Sequence, residues 1–351
     1  MTSTTETKPV LAITMGDPGG IGPEIIAKAL THADVYDHSR PLVIGERRAM
    51  EAAVRITGRP LEVRLVDQPA DAGDHPGTID LVDLANIDIE QLGRARVCPE
   101  VGKAAYDYLE LATHLALDNQ VGAIVTAPLN KEALSEAGWV GIGHTELLAR
   151  FAGVPDKNVA MMLASNRLRV VHVSTHVSLR RAIELVSPER IMTATRLAGE
   201  TARDIVGREP HIAVAGLNPH AGEHGLFGSE EEELIEPAIE QLRAEGWHVS
   251  GPVSPDTVFL RAASGDFDAV IAMYHDQGHI PSKFAGFDDT VNVTLGLPIV
   301  RTSVDHGTAY DIAGTGKANE ANMLAAIELA AQMAANRERR LTEDSRSRPA
   351  R

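Results

Sequence analysis

A three-layer α/β architecture is predicted by two features of this chain. Short apolar or β-branched runs alternate with amphipathic stretches along its length, the pattern of successive βα units. Three of the runs, within VVHVSTH, IAVAGLNPH and AVIAMYH, lead directly into His176, His220 and His275. A parallel strand delivers whatever follows its carboxyl end to one edge of the sheet, where open α/β sheets bind ligands. At 351 residues the chain exceeds what one core usually serves, so two domains sharing an active-site cleft are expected. Residues 1–143 and 300–340 are assigned to the first domain, 144–299 to the second, and 341–351 to a disordered tail.

The elements follow in order. Val10–Thr14 is an apolar run and a first strand. Gly22-Pro23 puts proline at a first helical position, where its missing N–H costs nothing, and opens a helix over Pro23–Leu30. Strands Leu42–Ile44 and Glu62–Val66 flank an amphipathic helix over Glu46–Ile56, and the helix Glu100–Leu117 precedes strand Ala123–Thr126. A helix over Thr145–Phe151 leads to strands Val159–Ala164 and Arg169–Ser174. Ser187-Pro188 caps a helix over Pro188–Val206. Strand His211–Gly216 is followed by a helix over Glu230–Ala244. Ser229 and Glu232 are expected to form its capping box, with Glu230 and Glu231 favouring the positive helix start, so these acids need no catalytic explanation. Strands Ala269–Met273 and Val291–Leu295 and a helix over Glu320–Ala335 complete the pattern. Two of the strand pairs are open to antiparallel pairing.

Composition narrows the function. With 33 basic and 49 acidic residues the net charge is −16, against the positive field that non-specific nucleic-acid binding needs. No apolar run reaches the ~18 residues of a membrane span, and MTSTTETKPV lacks a basic region followed by an apolar stretch. The single cysteine, Cys98, rules out an internal disulfide and fits a reducing compartment. A cytoplasmic protein without nucleic-acid or membrane partners is expected.

Four motifs carry chemistry. Met15-Gly16-Asp17-Pro18-Gly19-Gly20-Ile21-Gly22-Pro23-Glu24 joins the first strand to a helix, and two readings stay open: an anion-binding turn, or a tight structural one. Gly143-His144-Thr145-Glu146 opens a helix with a hydroxyl and an imidazole that suit a carboxylate or phosphate, while Glu146 complements the helix dipole. The histidine trio is spaced by 44 and 55 residues, far longer than a structural finger site, and suits a catalytic divalent metal with open positions. In the stretch containing Lys283-Phe284-Ala285-Gly286-Phe287, Asn292 and Arg301, the fork of arginine and the point charge of lysine suit phosphate. Asn292 lies in an apolar run, where it needs partners. An anionic, phosphorylated substrate is the expectation.

At these motifs, with Asn218-Pro219-His220-Ala221-Gly222-Glu223, Tyr274-His275-Asp276-Gln277-Gly278 and Arg301-Thr302-Ser303-Val304-Asp305-His306-Gly307-Thr308, the chain resembles the 4-hydroxythreonine-4-phosphate dehydrogenase family nearly end to end. The resemblance implies an isocitrate/isopropylmalate dehydrogenase-like fold, NAD (or NADP) as oxidant, and a homodimer whose subunits together complete each metal site. It implies His176, His220 and His275 as ligands of one Zn, Mg, Mn or Co ion. His144, Thr145, Lys283, Asn292 and Arg301 become substrate contacts, and Asp256 and Asp276 stand where the family has acids near the metal. The chemistry expected is oxidation of a hydroxyl followed by decarboxylation, with His144 and Asp276 as candidate bases. Thr126-Ala127-Pro128-Leu129-Asn130-Lys131-Glu132 is closer to the branch acting on 4-phospho-D-threonate or 4-phospho-D-erythronate than to the vitamin B6 branch. An aromatic cis-dihydrodiol dehydrogenase, a metal-dependent hydrolase and a non-catalytic phosphometabolite binder are the alternatives. The residues single out no contacts for NAD.

Overall fold

The structure, a computed structural model, describes residues 8–286 and 289–347. In chain order the first segment holds β1 (Val10–Thr14), α1 (Gly22–Ala29), α2 (Val35–His38), β2 (Arg40–Gly45), α3 (Arg47–Thr57), β3 (Glu62–Leu65), β4 (Thr78–Asp83), α4 (Ile89–Leu92), α5 (Pro99–Leu117), β5 (Ala123–Thr126), α6 (Lys131–Glu136) and α7 (His144–Phe151). The middle segment holds β6 (Ala160–Ala164), β7 (Arg169–His172), α8 (Leu179–Leu185), α9 (Pro188–Val206), β8 (Ile212–Ala215), α10 (Glu236–Ala244), β9 (Val249–Val253), α11 (Val258–Ala263), β10 (Ala269–Ala272), α12 (His275–Ala285) and β11 (Val291–Leu295). The chain returns through β12 (Arg301–Val304) and α13 (Ala321–Ser347).

Two compact units result. One joins the segment ending at Asp156 to the segment beginning at Leu297; the other is Lys157–Gly296. The division therefore falls thirteen residues beyond Gly143, because α7 packs on α5 and stays with the first unit. In that unit the strands run in the order β3-β4-β2-β1-β5-β12, all parallel. Parallel strands covered on both faces read as unbroken apolar runs, and every residue of β1 and β5 is buried. β3, EVRL, is an edge with its charges exposed.

In the second unit the order is β11-β6-β7-β10-β8-β9. β7, β10, β8 and β9 are parallel, whereas β6 pairs antiparallel with both β7 and β11. Leu168, Val170, Ala213, Val258, Phe259 and Val270 form part of its core.

Two expectations change. α13 runs on to Ser347, so residues 341–347 are helical; Leu, Arg and Glu are good helix formers even without apolar neighbours. Arg348–Arg351 lie outside the described residues, as do Met1–Thr7, Phe287 and Asp288. Ser229 makes no side-chain cap, and the helix begins as a π turn over Glu231–Ile235. No helix among the described residues is long and apolar enough to cross a membrane.

Candidate active site

The second unit carries the histidines. β7, β10 and β8 are adjacent and parallel, so the chain leaves all three at one sheet edge. Beyond β7, the Ser174 hydroxyl donates to the Met273 carbonyl at 3.1 Å, and Arg190 of α9 donates twice to the Val173 carbonyl. His176 then emerges exposed. Beyond β10, His275 is the first residue of α12, not a loop residue. The His176 and His275 rings lie 5.5 Å apart, and a cavity of about 440 Å³ is lined by Thr175, His176, Val177, Tyr274, His275 and Asp276.

His275 Nδ1 is 2.7 Å from Asp276 Oδ1. With the proton on Nδ1 donated to the carboxylate, Nε2 keeps a lone pair, the arrangement of a carboxylate-oriented metal ligand. That geometry fits a divalent cation at His176 and His275. His220 follows β8 on a turn with φ 52°, exposed, its ring 6.2 Å from Phe227. Among the described residues no three His, Cys, Asp or Glu side chains gather to hold a metal within one chain.

Two further histidines were not singled out in the sequence. His279 stacks on His275 with centroids 3.6 Å apart, and its Nδ1 lies 3.1 Å from both His172 Nε2 and the His275 carbonyl. Burial, then His279 and His275, pull the His172 pKa down to about 3, so that ring is neutral. The signal available was the four-residue spacing of His275 and His279, one helical turn. Lys283, in the last turn of α12, is exposed; Asn292, opposite Leu163 on β11, is half-buried. Asp276 and Asp256 are exposed, the latter accepting from the Ser254 hydroxyl at 2.6 Å.

The first unit carries Arg301, His144 and Thr145. Arg301 is 4% exposed and donates through Nε and Nη2 to Thr126 Oγ1 at 3.2 and 2.6 Å. The Thr126 hydroxyl in turn donates to Ser303 Oγ at 2.8 Å. Burial lowers the guanidinium to about 9, still a cation at neutral pH. Half-buried His144 begins α7; burial first, then Arg301 and Lys131, hold its pKa well below 6.5, leaving the imidazole neutral with a lone pair. Thr145 is half-buried beside it, and Glu146 turns back to accept from the Gly143 N–H at 2.9 Å.

The glycine-rich turn is buried and closes on its own chain. A Cβ at Gly16 would lie 2.2 Å from the Pro128 carbonyl oxygen, at Gly20 3.0 Å from Thr308, and at Gly22 2.3 Å from the Met15 carbonyl oxygen. The close approach that glycine permits is to protein backbone here, and the structural reading accounts for it. Asp17, fully buried, accepts from the Gly19 N–H at 2.8 Å and from the Tyr310 hydroxyl.

The relatives of this chain make it an oxidoreductase acting on a CH–OH group. Residues 37–330 match the family described as "Pyridoxal phosphate biosynthetic protein PdxA". The chain is 49% identical over 330 residues to a D-threonate 4-phosphate dehydrogenase of Cupriavidus necator, covering 94% of this chain and 98% of that one. It is equally 49% identical to a 4-hydroxythreonine-4-phosphate dehydrogenase of Desulforapulum autotrophicum, covering 94% and 97%. The crystal structure of a 4-hydroxythreonine-4-phosphate dehydrogenase from Klebsiella pneumoniae superposes with a TM-score of 0.85 at 45% identity, covering 93% of this chain and all of that one. The chain belongs to the PdxA family.

Proposed function

We propose that the protein oxidises C3 of a 4-phosphorylated 3-hydroxy acid, 4-phospho-D-threonate or 4-phospho-D-erythronate, with NAD as hydride acceptor. Loss of CO2 from the resulting 3-keto acid then yields dihydroxyacetone phosphate. The observation that carries this reading is the near end-to-end similarity to the D-threonate 4-phosphate dehydrogenase of C. necator. A buried cation at Arg301, beside a histidine kept neutral, supports an anionic substrate that must lose a proton.

In this reading His176, His220 and His275 hold one divalent cation, with imidazoles from two subunits of a homodimer completing the set. A bound cation would supply Lewis acidity toward the C3 hydroxyl and the enolate left by CO2, and NAD would take the hydride. Asp276 fixes the tautomer of His275. Arg301, Lys283 and Asn292 bind the phosphate and carboxylate ends, so that holding both ends of the four-carbon chain restricts the orientation of C3. Thr145 donates to a substrate oxygen. His144, neutral and with a free lone pair, is the preferred acceptor for the hydroxyl proton; Asp276, already engaged with His275, is the weaker candidate.

A second reading, oxidation of 4-hydroxythreonine 4-phosphate, is supported by the equal identity to the D. autotrophicum relative. Parallel initial rates of NADH formation with phosphothreonate, phosphoerythronate, 4-hydroxythreonine phosphate and an unphosphorylated cis-dihydrodiol decide between them. A higher kcat/KM for the amino acid or the dihydrodiol than for both phosphorylated acids rejects the first reading.

A further inference from the structure

The turn after β8 that presents His220 is held in an unfavourable backbone. His220, Ala221, Glu223 and His224 all have positive φ, with Gly222 and Gly225 among them. Non-glycine residues in that region cost of order 1–3 kcal/mol each and persist only where the surroundings over-determine them. Here a buried carboxylate does so. Glu231 is 1% exposed. Its Oε1 accepts from the N–H groups of Leu217 and Asn218, both at 2.7 Å, and its Oε2 accepts from Asn218 Nδ2 at 2.9 Å. The loop also wraps it closely: a Cβ at Gly216 would lie 3.2 Å from Oε1, and one at Gly222 2.8 Å from Oε2.

The carboxylate reaches this position from a π turn, Glu231–Ile235, a rare local geometry that recurs at functional sites. A second buried side chain ties the same loop to its neighbour. Gln277 Nε2 donates to the Gly216 carbonyl at 2.8 Å, while its Oε1 accepts from the Met273 N–H at 2.6 Å. The chain leaving β8 is thereby fixed to the chain leaving β10, two residues before His275. A carboxylate serving only the helix dipole would stay in solvent; burying one is costly unless its oxygens are fully hydrogen-bonded.

We infer that Glu231 is the positioning residue for His220: its carboxylate shapes the strained turn that aims the imidazole, with Gln277 anchoring that turn to the His275 loop. The inference rests on the reading of His220 as a metal ligand, and the experiment separates the two. Co2+ is titrated into metal-free full-length protein against a competing chelator, and the visible spectrum of the bound ion is recorded alongside the melting temperature. Glu231→Gln keeps the shape but points an NH2 at existing donors, and it should weaken Co2+ binding about ten- to hundredfold with an altered spectrum.

If that variant does not fold, Asn218→Ser, which removes the amide's bonds to Glu231 and Glu230 and leaves the two backbone bonds to Glu231, should weaken binding several-fold. Wild-type affinity and spectrum in either folded variant, while His220→Ala binds weakly, overturns the inference and spares the metal reading. Lower affinity with an unchanged spectrum and a fall in melting temperature also overturns it, since that is loosening without loss of aim. Unchanged Co2+ binding in His220→Ala removes the metal reading, and the inference with it.

Discussion

Arg301 and His144 make the site readable at the scale of single residues. Arg301 keeps its charge while buried because the Glu146 carboxylate offsets part of the burial cost, and its Nε and Nη2 both bond Thr126 Oγ1. Lysine there retains a charge and loses the fork. Arg301→Lys should therefore raise KM for the phosphorylated substrate about ten- to hundredfold, roughly 1.4–2.8 kcal/mol of binding, with a smaller change in kcat; steady-state kinetics measure both. His144 makes a prediction about pH. Its folded-state pKa lies well below 6.5, so the neutral ring's stabilisation is complete above pH 6.5 and drains as pH falls from there toward the folded value. The wild-type melting temperature should lose its margin over His144→Gln as pH drops below 6.5, and a margin that widens on acidification would contradict the assignment. By the same sign, the acid limb of kcat/KM should not be set by His144 near pH 6.5.

At the scale of elements, packing overrides propensity in a testable way. Gly102 lies within α5, where alanine would ordinarily strengthen a helix by about 1 kcal/mol. A Cβ there would sit 2.1 Å from the Ala133 carbonyl oxygen of α6. Gly102→Ala should instead destabilise the protein by about 1–3 kcal/mol, seen as a lower melting temperature; an increase would mean α6 can move away freely. The same contest decides which elements were legible in the sequence. β1 and β5 were, because a strand buried on both faces is a nearly unbroken apolar run, and β11, VNVTL, was through its β-branched content. β4 was not, since TIDLVD mixes acids with apolar residues, and β9 was not, since Gly251-Pro252 interrupts it. β12, RTSV, is all buried yet mostly polar: Arg301 and Ser303 bond Thr126 of β5 and Thr302 donates to the Ala326 carbonyl of α13, which no hydropathy pattern reveals. α12 was hidden by Gly278 and Pro281, so His275 was expected at a strand end when it begins a helix. Glu231 is legible only as a helix-start acid, because nothing local marks the loop that buries it.

For the whole molecule, the first unit is interrupted and the second is not. Arg301 meets Thr126 at a sequence separation of 175, whereas Lys157–Gly296 is one uninterrupted segment. Expressed alone, residues 157–296 should be compact with a cooperative thermal transition. A fragment ending at Asp156 should aggregate or stay unfolded, because β5 is then an open edge without β12 or α13. Size-exclusion chromatography and circular dichroism distinguish these outcomes, and a well-folded N-terminal fragment would show that β12 is dispensable. The interruption also sets an order of events during synthesis. The middle of the polypeptide can mature while the ribosome is still working, but the earlier part must wait, incomplete and needing protection, until the segment from Leu297 onward emerges.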